Sequence, residues 1–194
     1  SPSLKIEGAL AKSWSTSKDG KTLTFKLRPN VFFHSGDPIT SSDVEASLKR
    51  VLSSESTVQK FYDSIKRIKA LDEKTIEIEL NYPFPPFLSV LAGATAKILP
   101  KSKLNDPNFF RNPIGSGAFK FSSLDKEKKQ IILESFNQYY SGKPKIDRMI
   151  LKETSESDAL KLAVDGEIHD LANWPLTEEN TVFLYGQKIS KIGR

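Results

Sequence analysis

The chain has 194 residues, of which 38% are hydrophobic, 10% aromatic and 27% charged, a composition typical of a folded globular protein. It contains no cysteine, so disulfide bonds, cysteine-ligated metals and thiol nucleophiles are excluded, and two histidines leave little for a histidine-rich metal site. The net charge of +5 comes from 29 lysine and arginine residues interleaved with 24 aspartate and glutamate residues. This mixture favours a solvated surface over a nucleic-acid-binding face.

No stretch of the sequence is apolar enough to predict a membrane-spanning helix. The longest apolar stretch, residues 87–99, is interrupted by Ser89, Gly93, Thr95 and Lys97. A spanning helix needs about 18 or more apolar residues. The first residues also lack a basic region followed by an apolar core, so no signal peptide is expected within this sequence.

A β-hairpin is predicted over residues 14–28. The pair Asp19 and Gly20 favours a type I′ turn, in which both central residues adopt positive φ. In the return strand, residues 23–27, apolar and polar side chains alternate, so one face of the hairpin is expected to be buried.

Helices and strands follow the hairpin in irregular order. Thr40 is expected to cap a helix, because Asp43 lies three residues later as in a capping box. The further elements predicted by periodicity are a helix over residues 57–68, a strand over 76–80 and a short helix over 87–91 that Gly93 ends.

The second half of the sequence is predicted to be mainly β-structure. Residues 105–117 are rich in Asn, Pro and Gly, which is typical of a linker between lobes. A capping box at residues 155–158 predicts a helix that ends at Gly166. Strands are expected over residues 118–124, 129–136, 148–152, 168–172 and 182–185. The mixed order of hairpins and helices predicts a mixed α/β fold of the α+β type.

One candidate for acid–base chemistry is His34 together with Asp37. Such a pair more often serves a turn, in which Asp37 bonds backbone N–H groups before Pro38, and neither a nucleophile nor a third orienting group is in view. The segment 115–117, Gly-Ser-Gly, does not complete the Gly-x-Ser-x-Gly pattern of a nucleophile elbow. A tight turn before a strand is therefore favoured.

Two aromatic groups invite binding interpretations, and both fit structural roles better. Trp14, Phe25, Phe32 and Phe33 suggest a stacking platform for sugars or bases, but their alternation favours core packing. The aromatic and proline cluster at residues 82–87 lies between a strand and a helix, which favours a structural crossover over a protein-binding segment. No phosphate loop, dinucleotide fingerprint or zinc-protease motif occurs, so neither a cofactor nor a metal is expected.

The order of several motifs resembles a known family. The motifs are ALAKSW (9–14), DGKTLTFKLR (19–28), VFFHSGDPITSSDV (31–44), NPIGSGAFKF (112–121), NQYYSGKPKID (137–147) and DGEIHD (165–170). In this order and spacing they resemble the family 5 extracellular solute-binding proteins, which are the oligopeptide-, dipeptide- and nickel-binding receptors of ABC importers. Lys12 replaces the usual acid of that family and Tyr140 the usual tryptophan, which are departures that affect packing.

This resemblance implies a type II periplasmic-binding-protein fold, in which two lobes close on a ligand by a hinge motion. Members of the family are more than twice as long as this chain. Residues 1–110 would correspond to the small accessory subdomain and residues 111–194 to part of the first lobe, without the opening strand and the second lobe. The charged anchors for peptide termini would lie in that second lobe.

The implied function is the non-catalytic capture of a small peptide or other small solute and its delivery to ABC permease subunits in the membrane. The resemblance also implies a monomer without a nucleic-acid partner, located in the periplasm or otherwise outside the cytoplasm, with a lipid anchor as one form of attachment. The alternative is a ligand-sensing module of a bacterial transcription regulator. An enzyme ranks third.

The resemblance further implies which residues face the ligand: the loop of Gly93, Ala94, Thr95 and Ala96, and the helical segment with Val58 and Phe61. Small residues let a ligand approach the backbone closely, and Thr95 adds a hydroxyl group. Because no charge occurs in the loop before Lys97, recognition by backbone and shape is expected. The alternative is an ordinary loop that ends a helix at Gly93.

Overall fold

The computed structural model of the protein describes residues 6–53, 57–93 and 96–168. The strands are β1 (Ala11–Thr16), β2 (Thr22–Leu27), β3 (Ile65–Asp72), β4 (Thr75–Leu80), β5 (Phe119–Asp125), β6 (Gln130–Ser135) and β7 (Arg148–Lys152). The α-helices are α1 (Ser41–Ser53), α2 (Phe87–Ala92) and α3 (Glu156–Val164), and 3₁₀ helices cover Thr57–Tyr62, Lys101–Lys103 and Phe109–Arg111. The predicted mixed α/β class is confirmed.

The chain divides into two compact units. The first comprises residues 1–122 and 133–149, and the second comprises residues 123–132 and 150–194. Residues 105–117, the candidate linker, lie within the first unit. The assignment of residues 1–110 to an accessory subdomain and 111–194 to part of a lobe stays a prediction.

A four-stranded antiparallel sheet in the order β1-β2-β4-β3 holds the main core of the first unit. In the central pair, Leu23 lies opposite Ile78 and Phe25 lies opposite Ile76, and all four side chains are buried. Because successive side chains of a strand point to opposite faces, this alternation produces one apolar face. Helix α1 packs against that core through Val44, Leu48 and Val51, as its helical spacing predicts.

The predicted hairpin is formed by β1 and β2, but the predicted type I′ turn is wrong. Gly20 has a φ of +70°, whereas Asp19 does not have a positive φ. The connection is a longer loop, closed by a bond from the Ser17 N–H to the Thr22 carbonyl oxygen at 2.9 Å. The carboxylate of Asp19 accepts bonds from the Ser17 hydroxyl at 2.5 Å and from the Lys21 N–H at 3.1 Å. These bonds stabilise Asp19 as a turn residue without left-handed geometry.

Helix α1 begins after Thr40, as predicted. The Asp43 carboxylate accepts bonds from the Thr40 backbone N–H at 2.9 Å and from its hydroxyl group at 2.7 Å. The other carboxylate oxygen accepts the backbone N–H of Lys101 at 2.9 Å. Asp43 therefore stabilises the start of α1 and also attaches a segment nearly 60 residues away in the sequence.

The helix predicted over residues 57–68 is wrong in its second half. A 3₁₀ helix ends at Tyr62, and β3 begins at Ile65. Ile65 and Ile68 are both buried although they are three residues apart, because the β3–β4 register shifts between Ile65 and Arg67. A bulge of this kind adds a residue to one strand and brings the next apolar side chain back to the same face. The resulting spacing imitates a helix.

The three-stranded sheet has the order β5-β6-β7, and its strands match the predicted strands at residues 118–124, 129–136 and 148–152. Helix α3 has Ser155 as its N-cap, as predicted, and the Ser155 hydroxyl accepts the Asp158 N–H at 3.2 Å. Gly166, with a φ of +76°, follows the helix, and the Glu167 N–H bonds to the Leu162 carbonyl oxygen at 2.9 Å. This is a Schellman ending. The strands predicted over 168–172 and 182–185 fall, apart from Ile168, outside the described residues.

Candidate functional site

The predicted ligand-facing helical segment is a 3₁₀ helix, Thr57–Tyr62, that follows α1. Tyr62 has no exposed surface and packs into the core of the four-stranded sheet. The neighbouring Phe61 is 59% exposed, which is unusual for a phenylalanine. Val58 lies in the same 3₁₀ helix. The segment is therefore anchored by Tyr62 and presents the side chain of Phe61 to solvent.

The predicted ligand-facing loop starts where α2 ends. Phe87 at the start of α2 is buried, and the Gly93 N–H closes the helix by donating to the Val90 carbonyl oxygen at 3.1 Å. Gly93 is exposed and has a φ of −68°, so it ends the helix as predicted without the left-handed geometry of a C′ glycine. Ala96 packs partly against the core of the four-stranded sheet. Ala94 and Thr95 lie outside the described residues.

The chain that leaves this loop is attached to α1. The Leu99 N–H donates to the Ser47 hydroxyl at 2.9 Å, and that hydroxyl lies 3.2 Å from the Leu99 carbonyl oxygen. Ser47 is buried, so this polar contact is shielded from water. The loop therefore has two fixed ends, one set by the buried Phe87 and the other by Ser47. A loop on a rigid scaffold is a common place for binding residues.

Both predicted segments are attached to one core cluster, the 3₁₀ helix through Tyr62 and the loop through Ala96. Another exposed aromatic residue of the first unit was not singled out from the sequence. Phe110 is 68% exposed and lies under the Arg50 guanidinium, whose carbon is 5.7 Å from the ring centroid. No local pattern marks this contact, because its partners lie on separate elements.

The acid–base alternative for His34 and Asp37 does not fit the observed bonds. Both ring nitrogens of His34 face backbone groups of Gly115 and Gly117. The Asp37 carboxylate instead accepts the Ser35 hydroxyl at 2.8 Å, so the predicted bonds from backbone N–H groups to Asp37 are wrong. A hydroxyl two residues before Asp37 satisfies the carboxylate locally.

The aromatic residues of the first strands support core packing over a stacking platform. Phe25 and Phe33 are both buried, and the Trp14 ring lies 6.4 Å from the Phe25 ring. In the part of the chain that the structure describes, no three His, Asp or Glu residues are grouped so that they could hold a metal ion. No helix within the described ranges is both long enough and apolar enough to cross a membrane.

Two solved structures show what this fold resembles. The ABC transporter-associated periplasmic binding protein DppA from Helicobacter pylori, in complex with the peptide STSA, matches with a TM-score of 0.73 and 31% identity, covering 85% of this chain and 37% of DppA. NikZ from Campylobacter jejuni, in complex with Ni(L-His), matches with a TM-score of 0.74 and 30% identity, covering 82% of this chain and 33% of NikZ. The fold is that of the type II periplasmic binding proteins.

The sequence places the chain within one family of this fold. The family model described as "Bacterial extracellular solute-binding proteins, family 5 Middle" matches residues 5–191, and the chain belongs to this family. The probable D,D-dipeptide-binding periplasmic protein DdpA from Escherichia coli K12 is 33% identical over 179 residues, covering 88% of this chain and 34% of DdpA. The chain thus spans about a third of the length of these relatives. None of these three relatives is named as a transcription regulator.

Proposed function

We propose that the protein is the substrate-binding component of an ABC importer, which captures a peptide or a related small solute outside the cytoplasm. The observation that carries this proposal is the family match over residues 5–191. Its support comes from one relative named as a probable D,D-dipeptide-binding protein and from another whose structure is a complex with a peptide. The solute is handed unchanged to permease subunits in the membrane, so peptidase and esterase assays are expected to give no turnover.

We propose further that the loop of residues 93–96 and the 3₁₀ helix with Val58 and Phe61 face the solute. Two structural features support this assignment: the exposure of Phe61 beside the buried Tyr62, and the fixed ends of the loop. An exposed aromatic side chain on an anchored segment gains about 1.5–3 kcal/mol when a ligand covers it fully. Small residues in the loop allow the solute to reach backbone N–H and C=O groups.

The sharpest test of this surface compares two exposed phenylalanines in the complete gene product that contains these residues. Phe61→Ala is expected to weaken the binding of a mixed peptide pool by about tenfold or more, measured by calorimetry. Phe110→Ala is the matched control, because Phe110 is exposed on another 3₁₀ helix of the same unit, and its removal is expected to leave the affinity unchanged. Equal effects of the two substitutions would contradict the assignment of Phe61.

A second pair of variants tests the loop. Thr95→Arg is expected to abolish peptide binding in the complete gene product while leaving its melting temperature unchanged, because a long side chain would fill the cleft. Ser89→Arg adds the same side chain to an exposed position on α2 and is expected to retain binding. Unchanged affinity of the Thr95→Arg variant would show that the loop faces away from the solute.

The 194-residue chain by itself is expected to bind a mixed peptide pool weakly or not at all. Ligands of concave sites lose affinity when much of the surrounding surface is removed, and the chain spans about a third of the length of its relatives. A tight complex of the isolated chain, detected by calorimetry, would contradict this expectation.

The cellular location forms part of the proposal. We expect the gene to encode, before residue 1, a signal peptide with a lipobox cysteine, which would place the protein outside the cytoplasm and attach it to the membrane by a lipid. Sequencing the gene tests this expectation. A helix-turn-helix in the same place would instead identify a sensory module of a transcription regulator.

A further inference from the structure

The imidazole of His34 connects two segments that are more than 80 residues apart in the sequence. The Gly115 N–H donates to Nδ1 of His34 at 3.2 Å, and Nε2 lies 3.0 Å from the carbonyl oxygen of Gly117. The His34 backbone N–H donates in turn to the Gly115 carbonyl oxygen at 2.7 Å. Three hydrogen bonds therefore attach residues 115–117 to the turn that begins at His34.

These partners define the protonation state of the ring. A backbone N–H can only donate, so Nδ1 of His34 must carry a free lone pair towards Gly115. A carbonyl oxygen can only accept, so Nε2 must carry the hydrogen towards Gly117. The geometry is satisfied only by the neutral imidazole with its proton on Nε2.

The surroundings of the ring disfavour a positive charge. The buried Phe136 contacts the imidazole edge-on, with ring centroids 5.1 Å apart. The backbone N–H of Phe136 donates to the Ala118 carbonyl oxygen at 2.8 Å, which fixes this ring beside residues 115–117. Burial lowers the pKa of His34 below its ordinary value of 6.5, and the charge of Lys120 on β5 lowers it further, against an opposing effect of the Gly117 bond. The carboxylate of Asp37, on the same turn as His34, is bonded to the Ser35 hydroxyl.

We propose that His34 is a proton-controlled latch, which holds the backbone N–H of Gly115 while the ring is neutral and releases that N–H when Nδ1 takes up a proton from solvent. A protonated Nδ1 directs an N–H at the N–H of Gly115, so the ring then faces a donor where it had accepted a bond. The bond to Gly117 survives, because Nε2 keeps its hydrogen, and the bond from the His34 backbone N–H to the Gly115 carbonyl oxygen survives because it does not involve the ring. Residues 115–117 lie just before β5, so the latch acts on the segment that precedes this strand. The proposal is independent of any bound solute.

The sign of the pH dependence follows from the lowered pKa. The unfolded chain binds a proton on His34 at a higher pH than the folded chain does, because the folded pKa lies below 6.5. The stabilisation from the latch is therefore fully present above about pH 6.5. It is lost as the pH falls from that value through the folded pKa of His34.

The test is a pH titration of the 194-residue chain by NMR, with the imidazole nitrogens and the Gly115 amide observed together. His169→Gln removes the other histidine and simplifies assignment. The expected result is the Nε2–H tautomer at neutral pH, a His34 midpoint below the ordinary histidine value, and a Gly115 amide signal that shifts with the same midpoint. Observation of the Nδ1–H tautomer at neutral pH would overturn the proposal. A Gly115 amide shift that does not change as His34 titrates would overturn it as well.

A variant separates the latch from other effects of acid. His34→Asn places an amide oxygen that accepts a bond but does not titrate near the Nδ1 position. The pH-dependent shift of the Gly115 amide is expected to disappear in this variant and to persist in His169→Gln. Persistence of the shift in His34→Asn would contradict the latch. The tautomer and midpoint measured in the His169→Gln chain decide the proposal even where His34→Asn fails to fold.

Discussion

The two sheets of this protein differ in how much apolar surface they bury. In the four-stranded sheet, β2 and β4 alternate buried and more exposed positions, and their apolar side chains join a core with α1. In the three-stranded sheet, none of the residues of β5, β6 and β7 reaches full burial. Ile150 and Leu151 on neighbouring positions of β7 are 52% and 47% exposed, one on each face. Stability therefore should be concentrated in the four-stranded sheet.

The largest expected contrast comes from truncating one isoleucine in each sheet. Ile78→Ala on β4 removes a side chain that is 1% exposed and is expected to cost about 2–5 kcal/mol of unfolding free energy. Ile150→Ala on β7 is the matched control and is expected to cost less than about 1 kcal/mol. Urea denaturation of both variants measures the difference. Equal losses of unfolding free energy in the two variants would contradict the inference that stability is concentrated in the four-stranded sheet.

The capping carboxylates provide a smaller contrast. Asp43→Ala removes the acceptor for the Thr40 hydroxyl and for two backbone N–H groups, and is expected to cost about 1–2 kcal/mol. Asp158→Ala at the start of α3 removes one accepted bond, from the Ser155 hydroxyl, and is expected to cost about 0.5 kcal/mol. Thermal melting compares them. A melting temperature unchanged by Asp43→Ala would contradict the role given to this residue.

Local patterns in the sequence predicted the elements whose partners are close along the chain. The hairpin, the caps at Thr40 and Ser155 and the helix end at Gly166 all depend on residues within a few positions of one another. The helix predicted over residues 57–68 failed because a bulge changed the alternation in β3. Bulges depend on the partner strand, so periodicity in a single strand does not reveal them.

The candidate site was predictable only through the family resemblance. Composition and spacing gave Gly93 as a helix end, which the structure bears out, but they gave no reason to single out Phe61. Its exposure depends on the 3₁₀ geometry that buries Tyr62 instead. The bonds of His34 to Gly115 and Gly117 likewise depend on tertiary contacts, which the local sequence around His34 does not reveal.

The smallest expected contrast concerns two glycines with positive φ. Gly20→Ala adds the strain of a left-handed alanine, and its Cβ would lie 3.2 Å from Cβ of Pro83. Gly166→Ala adds the same strain at φ +76°, but among the described residues nothing beyond its chain neighbours and its own helix backbone lies within 4 Å of the new Cβ. Each is expected to cost about 1 kcal/mol from strain, and Gly20→Ala more because of the added crowding. Chemical denaturation that ranks Gly166→Ala as the costlier change would contradict this assignment.

Native-state hydrogen exchange of the 194-residue chain tests most directly whether stability is concentrated in the four-stranded sheet. Amides of β2 and β4 are expected to exchange only through global unfolding, whereas amides of β6 are expected to exchange through smaller openings with a lower free energy. As urea is added, the exchange free energies of the β6 amides are expected to approach those of the β2 and β4 amides only once global unfolding becomes the main route of exchange. Equal protection of β6 and β4 in the absence of urea would contradict the account.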